Sequence, residues 1–146
     1  MKLPVLNNER PEVCGPCGGS CCKSGSGVYH PSDFEDLARD LPAAVASGKV
    51  AIDFFLDETY EKIYMPRPQS KGWESKRRTY WTGDCTNLTE TGCALPFPSR
   101  PKQCRDLVPS EPEKPCRYPE KPDDMGILEW ASRPWVEHQE LLRELL

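Results

Sequence analysis

The sequence predicts an α+β fold: a small single domain in which helices pack on a short antiparallel sheet and cysteine-bearing loops gather at one end. Three observations carry this expectation. Apolar residues recur at helical spacing after Ser32 and again near the C-terminus. "VAIDFFLD" alternates as a half-buried strand does, and the turn-rich stretch 83–122 holds four of the eight cysteines. At 146 residues the chain fits one domain, 1–146, with length for a modest core.

Each element follows in chain order. Beyond the connector "SGSGVYHP", Ser32 as N-cap and Glu35 three positions on form a capping box. Phe34, Leu37, Ala38 and Leu41 then fall on one helical face, Pro42 kinks or restarts the helix, and Gly48 stops it. In the first strand Val50, Ile52, Phe54 and Leu56 share one side. "TYEKIYM" returns as its hairpin partner, and "RTYW", around Tyr80 and Trp81, supplies a third strand. The stretch 83–122 is too long and irregular to be held by apolar burial alone, so cross-linking is expected to fix it. The end, 124–146, is helical. Ile127, Leu128 and Ala131, then Trp135, Leu142, Leu145 and Leu146 after a break at Pro134, form a stripe that packs on the core or receives a partner.

Composition narrows the function classes. Hydrophobic residues make up 37%, with sixteen prolines and ten glycines, so much of the chain turns. A net charge of −4 exerts no general pull on nucleic acid or an anionic membrane. "MKLPVLNNERP" lacks the apolar run of a signal peptide, and no stretch approaches the roughly 18 apolar residues of a membrane span. A cytoplasmic location with reduced thiols is the expectation. Asn87-Leu88-Thr89 matches a glycosylation sequon that has no meaning without secretion.

The cysteines admit three readings. Cys14, Cys17, Cys21 and Cys22 occupy nine positions, and Cys85, Cys93, Cys104 and Cys116 follow. Disulfides require oxidising surroundings that nothing in the sequence indicates. "CGPC" has the letters of a thioredoxin dithiol, but no strand precedes it, and glycines stand where the helix that lowers the first thiol's pKa belongs. Metal ligation fits best. A Cys-x2-Cys turn aims two thiolates at one ion, glycine and proline allow the bend, and thiolates so crowded repel one another without a cation. "CTNLTETGC" reads as a second thiolate-bearing turn, with Gly92 free to take a positive φ. His30 is a further candidate ligand, although an ordinary loop role suits it better, and His138 belongs to the surface or the packing of the last helix.

Read together, "CGPCGGSCC" and "DCTNLTETGCALPFPSRPKQCR" resemble the YkgJ-type cysteine-cluster family, described as zinc- or iron-chelating or Fe–S-containing proteins. Cys14, Cys17, Cys21 and Cys22 fall on its early cysteine group. Cys85, Leu88, Gly92, Cys93, Leu95, Arg100, Pro101, Cys104 and Arg105 fall on its later signature. The resemblance covers residues 14–108, leaving Cys116 and the last helix outside, and it implies metal binding without a substrate.

The expected function is therefore a small metal-binding protein whose thiolates chelate zinc or iron in a structural or partner-binding role. An iron–sulfur protein for electron transfer or redox sensing is the alternative, because both metals favour tetrahedral sulfur. A thiol oxidoreductase on Cys14 and Cys17 is a third. No catalytic constellation is evident, and the partners expected are a metal ion and a protein, with neither nucleic acid nor membrane. The two cysteine groups are expected to converge, with Cys116 completing an even set of eight. "SRPKQCR" reads as a helical turn with Ser99 as N-cap. Its Arg100 and Arg105 either offset thiolate charge or form a solvated basic turn.

Overall fold

The computed structural model describes residues 27–71, 85–89, 92–106 and 120–146. Pro31–Asp33 makes a single 3-10 turn, capped by His30 rather than Ser32: imidazole Nδ1 accepts the Ser32 N–H at 3.1 Å, and the Asp33 carboxylate accepts the His30 N–H at 2.8 Å. Helix α1, Leu37–Ala46, therefore starts later than the Ser32–Glu35 box implies. Asp36 is its N-cap, accepting the Arg39 N–H at 3.2 Å. Pro42 lies inside a continuous helix and does not restart it. Its missing N–H removes one helical bond, and burial of Leu41 and Val45, with Leu37 and Ala44 packed beside them, holds the turn together. Ala38 is exposed, so the buried stripe differs from the expected one. Gly48 stops α1 as expected, at φ 83°, donating to the Val45 carbonyl at 3.1 Å.

Strands β1, Val50–Leu56, and β2, Lys62–Pro68, pair antiparallel from Val50↔Pro68 to Leu56↔Lys62. Thr59, Tyr60 and Glu61 belong to the turn between them, not to β2. There Asp57 Oδ1 accepts the Thr59 and Glu61 N–H groups, both at 2.9 Å, and Tyr60 takes φ 63°. A short acceptor that satisfies two amides makes this turn better than two further rungs of ladder. Burial declines along β1 and rises along β2, so the turn end is exposed and the open end buried. Val50 and Ile52 are buried as expected, but Ala51 and Asp53 are buried too, so the expected alternation does not hold. Farther along, Phe55 packs on the core while Leu56 is exposed.

Tyr64, Pro66 and Pro68 alternate along one edge of β2. Tyr64 donates its N–H to Gln139 Oε1 at 2.8 Å and accepts from Gln139 Nε2 at 2.9 Å. The Pro66 carbonyl accepts the Tyr29 N–H at 3.0 Å. Prolines fit here because this edge makes no ladder bonds to β1.

A second hairpin joins β3, Leu88–Thr89, to β4, Gly92–Cys93, and a 3-10 turn at Phe97–Ser99 leads into helix α2, Lys102–Asp106. Ser99 ends that turn and does not cap α2, whose first residue is Lys102. The C-terminal segment forms α3, Ile127–Ser132, a 3-10 stretch at Arg133–His138, and α4, Gln139–Glu144. The break expected at Pro134 is this tightening into 3-10 geometry. The segment packs across β2, with Trp135 and Leu142 fully buried beside Leu41, Ile52 and Met65. Ile127 and Leu146 are exposed, so the stripe is narrower than its sequence suggests. His138 packs edge-on against the Trp135 indole at 5.8 Å. The protein is thus α+β, helices on a two-stranded antiparallel sheet. The expected third strand around Tyr80 and Trp81 lies outside the described residues. Among those residues no helix is long and apolar enough to cross a membrane.

Candidate metal centre

The buried end of the first hairpin lies against the turn that carries Cys85. Ser70 pairs with Cys85 in an isolated antiparallel bridge, and Thr86 donates its N–H to the Gln69 carbonyl at 2.8 Å. Cys85 is 4% exposed. From it the chain turns tightly: Leu88 donates to the Cys85 carbonyl at 3.0 Å, and the Asn87 N–H lies 3.5 Å from Cys85 Sγ. A backbone amide aimed at sulfur suits a thiolate better than a thiol, because charge strengthens a weak acceptor. Leu88 is buried with Cys85 and stands opposite Cys93 in the β3–β4 pair, while Ala94 donates to the Asn87 carbonyl at 2.7 Å.

Cys104 arrives from α2. A Cβ added to Gly27 would lie 2.5 Å from Cys104 Sγ and 3.1 Å from its backbone nitrogen, so only glycine lets the chain pass that sulfur. The next residue locks the approach: Val28 donates to Gln103 Oε1 at 2.6 Å, and its carbonyl accepts the Gln103 N–H at 3.4 Å. Asp33 then takes the first amide of α2, Lys102 N–H, at 2.8 Å, and also pairs with Arg105. The segment that follows the early cysteine group in sequence is thereby bound to the helix carrying Cys104.

Electrostatics link the three sulfurs. The Tyr29 hydroxyl is pushed far above its ordinary range, first by burial and then by negative charge at Cys104, Cys85, Asp33 and Cys93. Arg67 is 3% exposed on β2 and pairs with Asp53, 2% exposed, at 3.3 Å. Burial lowers the Arg67 pKa, and Asp53, Cys85 and Cys104 oppose that shift. Arg67 is thus a buried cation whose charged form Cys85 and Cys104 favour.

Of the eight expected ligands, Cys85, Cys93 and Cys104 are described, and all three are free of disulfides. Cys14, Cys17, Cys21, Cys22 and Cys116 lie outside the described residues. Among the described residues, no three His, Cys, Asp or Glu side chains are arranged to hold an ion by themselves. His30 uses Nδ1 for capping. Arg100 and Arg105 are bracing groups rather than a solvated basic turn: Arg100 Nε donates to the Leu95 carbonyl and Arg105 Nε to the Arg100 carbonyl, each at 3.0 Å. Sequence reasoning passed over Arg67, Tyr29 and Gln103. The signal for Arg67 was a lone cation between two prolines in "MPRPQ", following directly on an apolar strand.

No family model matches the chain. No solved structure matches it either. Over 89 residues, 58% of the chain, it is 37% identical to the 3-hydroxy-3-methylglutaryl-coenzyme A reductase of Catharanthus roseus, of which it spans only 14%.

Proposed function

We propose that this is a small cytoplasmic metal-binding protein whose clustered cysteine thiolates chelate zinc or iron, with a structural or partner-binding role. The observation that carries the reading is the seating of Cys104 Sγ against Gly27, five positions after Cys22 in the sequence. The donor chemistry fits a thiophilic ion. A backbone amide is aimed at Cys85 Sγ, glycine leaves room at Cys104, and the buried Arg67 offsets anionic sulfur. Cys85, Cys93 and Cys104 would hold the ion with sulfurs from Cys14, Cys17, Cys21, Cys22 and Cys116. A zinc site closed by four thiolates is redox-silent and contributes folding energy, whereas iron with sulfide adds electron transfer. The chain's own part is to gather the thiolates, aim N–H groups at them and exclude water.

Elemental analysis and an absorption spectrum of anaerobically purified protein test this reading. Stoichiometric metal is expected, colourless with zinc or brown with iron, and Cys85→Ser and Cys104→Ser should each lower the metal content. Metal-free protein with unchanged thermal stability would overturn it.

A further inference from the structure

A cleft of about 220 Å³ opens between the segment 28–30, helix α2 and helix α3. Sites for drug-sized ligands run to roughly 300–1,000 Å³, so this one suits a small ion. Its aromatic walls are Tyr29 and Trp130, both half-buried, and Val28, Ala131 and Pro134 add apolar surface. Gln103 also lines it, but is buried and brings no charge.

Four ionisable side chains complete the lining besides the Tyr29 phenol, and their charges do not cancel. His30 is neutral. Its Nδ1 accepts the Ser32 N–H at 3.1 Å, and burial, then Lys102, lowers its pKa against the opposing pull of Asp33 and Asp106. Lys102 and Asp106 form an ion pair and sum to zero. Glu120 is left, exposed to solvent. The neighbouring charges do not reverse this balance. Asp33 pairs with Arg105, while the Lys121 ammonium donates to the Pro122 and Met125 carbonyls, at 2.9 and 2.7 Å.

A lining with one carboxylate in excess and two aromatic side chains attracts cations. A quaternary ammonium ion fits such a wall best, because its charge is carried on alkyl groups and no N–H needs an acceptor. We propose that the cleft binds a small quaternary ammonium ion, with its trimethylammonium group against Trp130 and Tyr29 and its charge balanced by Glu120. A phosphate or carboxylate close to the nitrogen would meet Glu120, and the one cation of the lining, Lys102, is already paired. The ligand is therefore a free alcohol-bearing ion of the choline type, not a lipid headgroup. This assignment goes beyond metal binding and does not rest on it.

Titration of the intact ¹⁵N-labelled protein with choline tests the assignment through the Trp130 indole N–H signal, identified with Trp130→Phe. Calorimetry gives the affinities. The comparison ligands are phosphocholine and the uncharged carbon isostere of choline, in which a tert-butyl group replaces trimethylammonium. Choline is expected to shift the Trp130 signal saturably, the isostere to bind at least tenfold more weakly, and phosphocholine at least threefold more weakly. Glu120→Gln, a change at an exposed side chain, should cut the preference for choline over the isostere at least threefold. Should Trp130→Phe fail to melt cooperatively, calorimetry on Glu120→Gln still decides. An isostere that binds as tightly as choline, no saturable binding, or an unchanged preference in Glu120→Gln would overturn the proposal. Phosphocholine binding as tightly as choline would also overturn it, in favour of a headgroup site.

Discussion

The carboxylate of Asp33 and the guanidinium of Arg105, 72 positions apart, form an ion pair in which Asp33 also takes the first amide of the helix that bears Arg105. One side chain thereby caps α2, neutralises a cation in its last turn and closes the 3-10 turn at His30. The Asp33 side chain is only 6% exposed, so each of these bonds is sheltered from competing water.

Replacing Asp33 by Ala should therefore cost more than an ordinary cap, about 2 to 3 kcal/mol, because a cap and a half-buried ion pair are lost together. Urea denaturation checks this, and Asp33→Asn, which keeps one acceptor, should fall between Ala and the native protein.

Gly27→Ala should destabilise the protein by about 1 to 3 kcal/mol, since the new methyl overlaps Cys104 Sγ and the nearby backbone gives little room to move. The cost should shrink when the sulfur is removed. In a double-mutant cycle with Cys104→Ala, both melted as metal-free protein, a coupling of about 1 kcal/mol is expected. Additive effects would show that the two groups do not meet.

Asp53→Ala leaves Arg67 buried without its carboxylate and should cost about 3 to 5 kcal/mol. Asp53→Ala combined with Arg67→Met should recover a large part of that loss, because two neutral groups replace two desolvated charges. Chemical denaturation of the two variants and the native protein separates this from a simple packing effect, which the second substitution would only worsen.

The pH dependence has a definite sign. Burial first, then Lys102, lowers the His30 pKa, with Asp33 opposing, and a capping Nδ1 must be unprotonated. Folding thus favours the neutral ring. Its contribution is present above the ordinary value near pH 6.5 and is lost as pH falls through the lower folded value. Denaturation midpoints compared at pH 7.5 and pH 5 should show a smaller acid loss in His30→Asn, where the cap no longer titrates.

The parts of the fold read correctly from sequence were those specified locally. Gly48 as the stop of α1, Val50 and Ile52 in a strand, and the break near Pro134 each follow from a few neighbouring residues. The errors arose where a distant group intervened. Ser99 was expected to cap α2, but the carboxylate comes from Asp33, and no local pattern encodes a partner 69 positions away. Pro42 was expected to kink or restart α1; it does not restart it, because apolar burial on both sides outweighs one missing bond. Cys85, Cys93 and Cys104 stood out in the sequence by residue type and spacing alone. Arg67 did not stand out, because its burial and its pairing with Asp53 depend on the strands coming together.

The treatment of β2 has a consequence for how the protein behaves in a crowd. A lone hairpin ordinarily presents a row of open amides and carbonyls on which another molecule's extended chain can dock, the first step toward fibrils and swapped dimers. Here Pro66 and Pro68 offer no N–H on that side, the Pro66 carbonyl is taken by Tyr29, and both backbone groups of Tyr64 are held by the amide of Gln139. Growth of the sheet past β2 is blocked along that border by residues 64–68 and their partners. Gln139 stands in for the strand that would otherwise arrive, so Gln139→Ala exposes a growth point and should raise the protein's tendency to aggregate before it lowers its melting temperature.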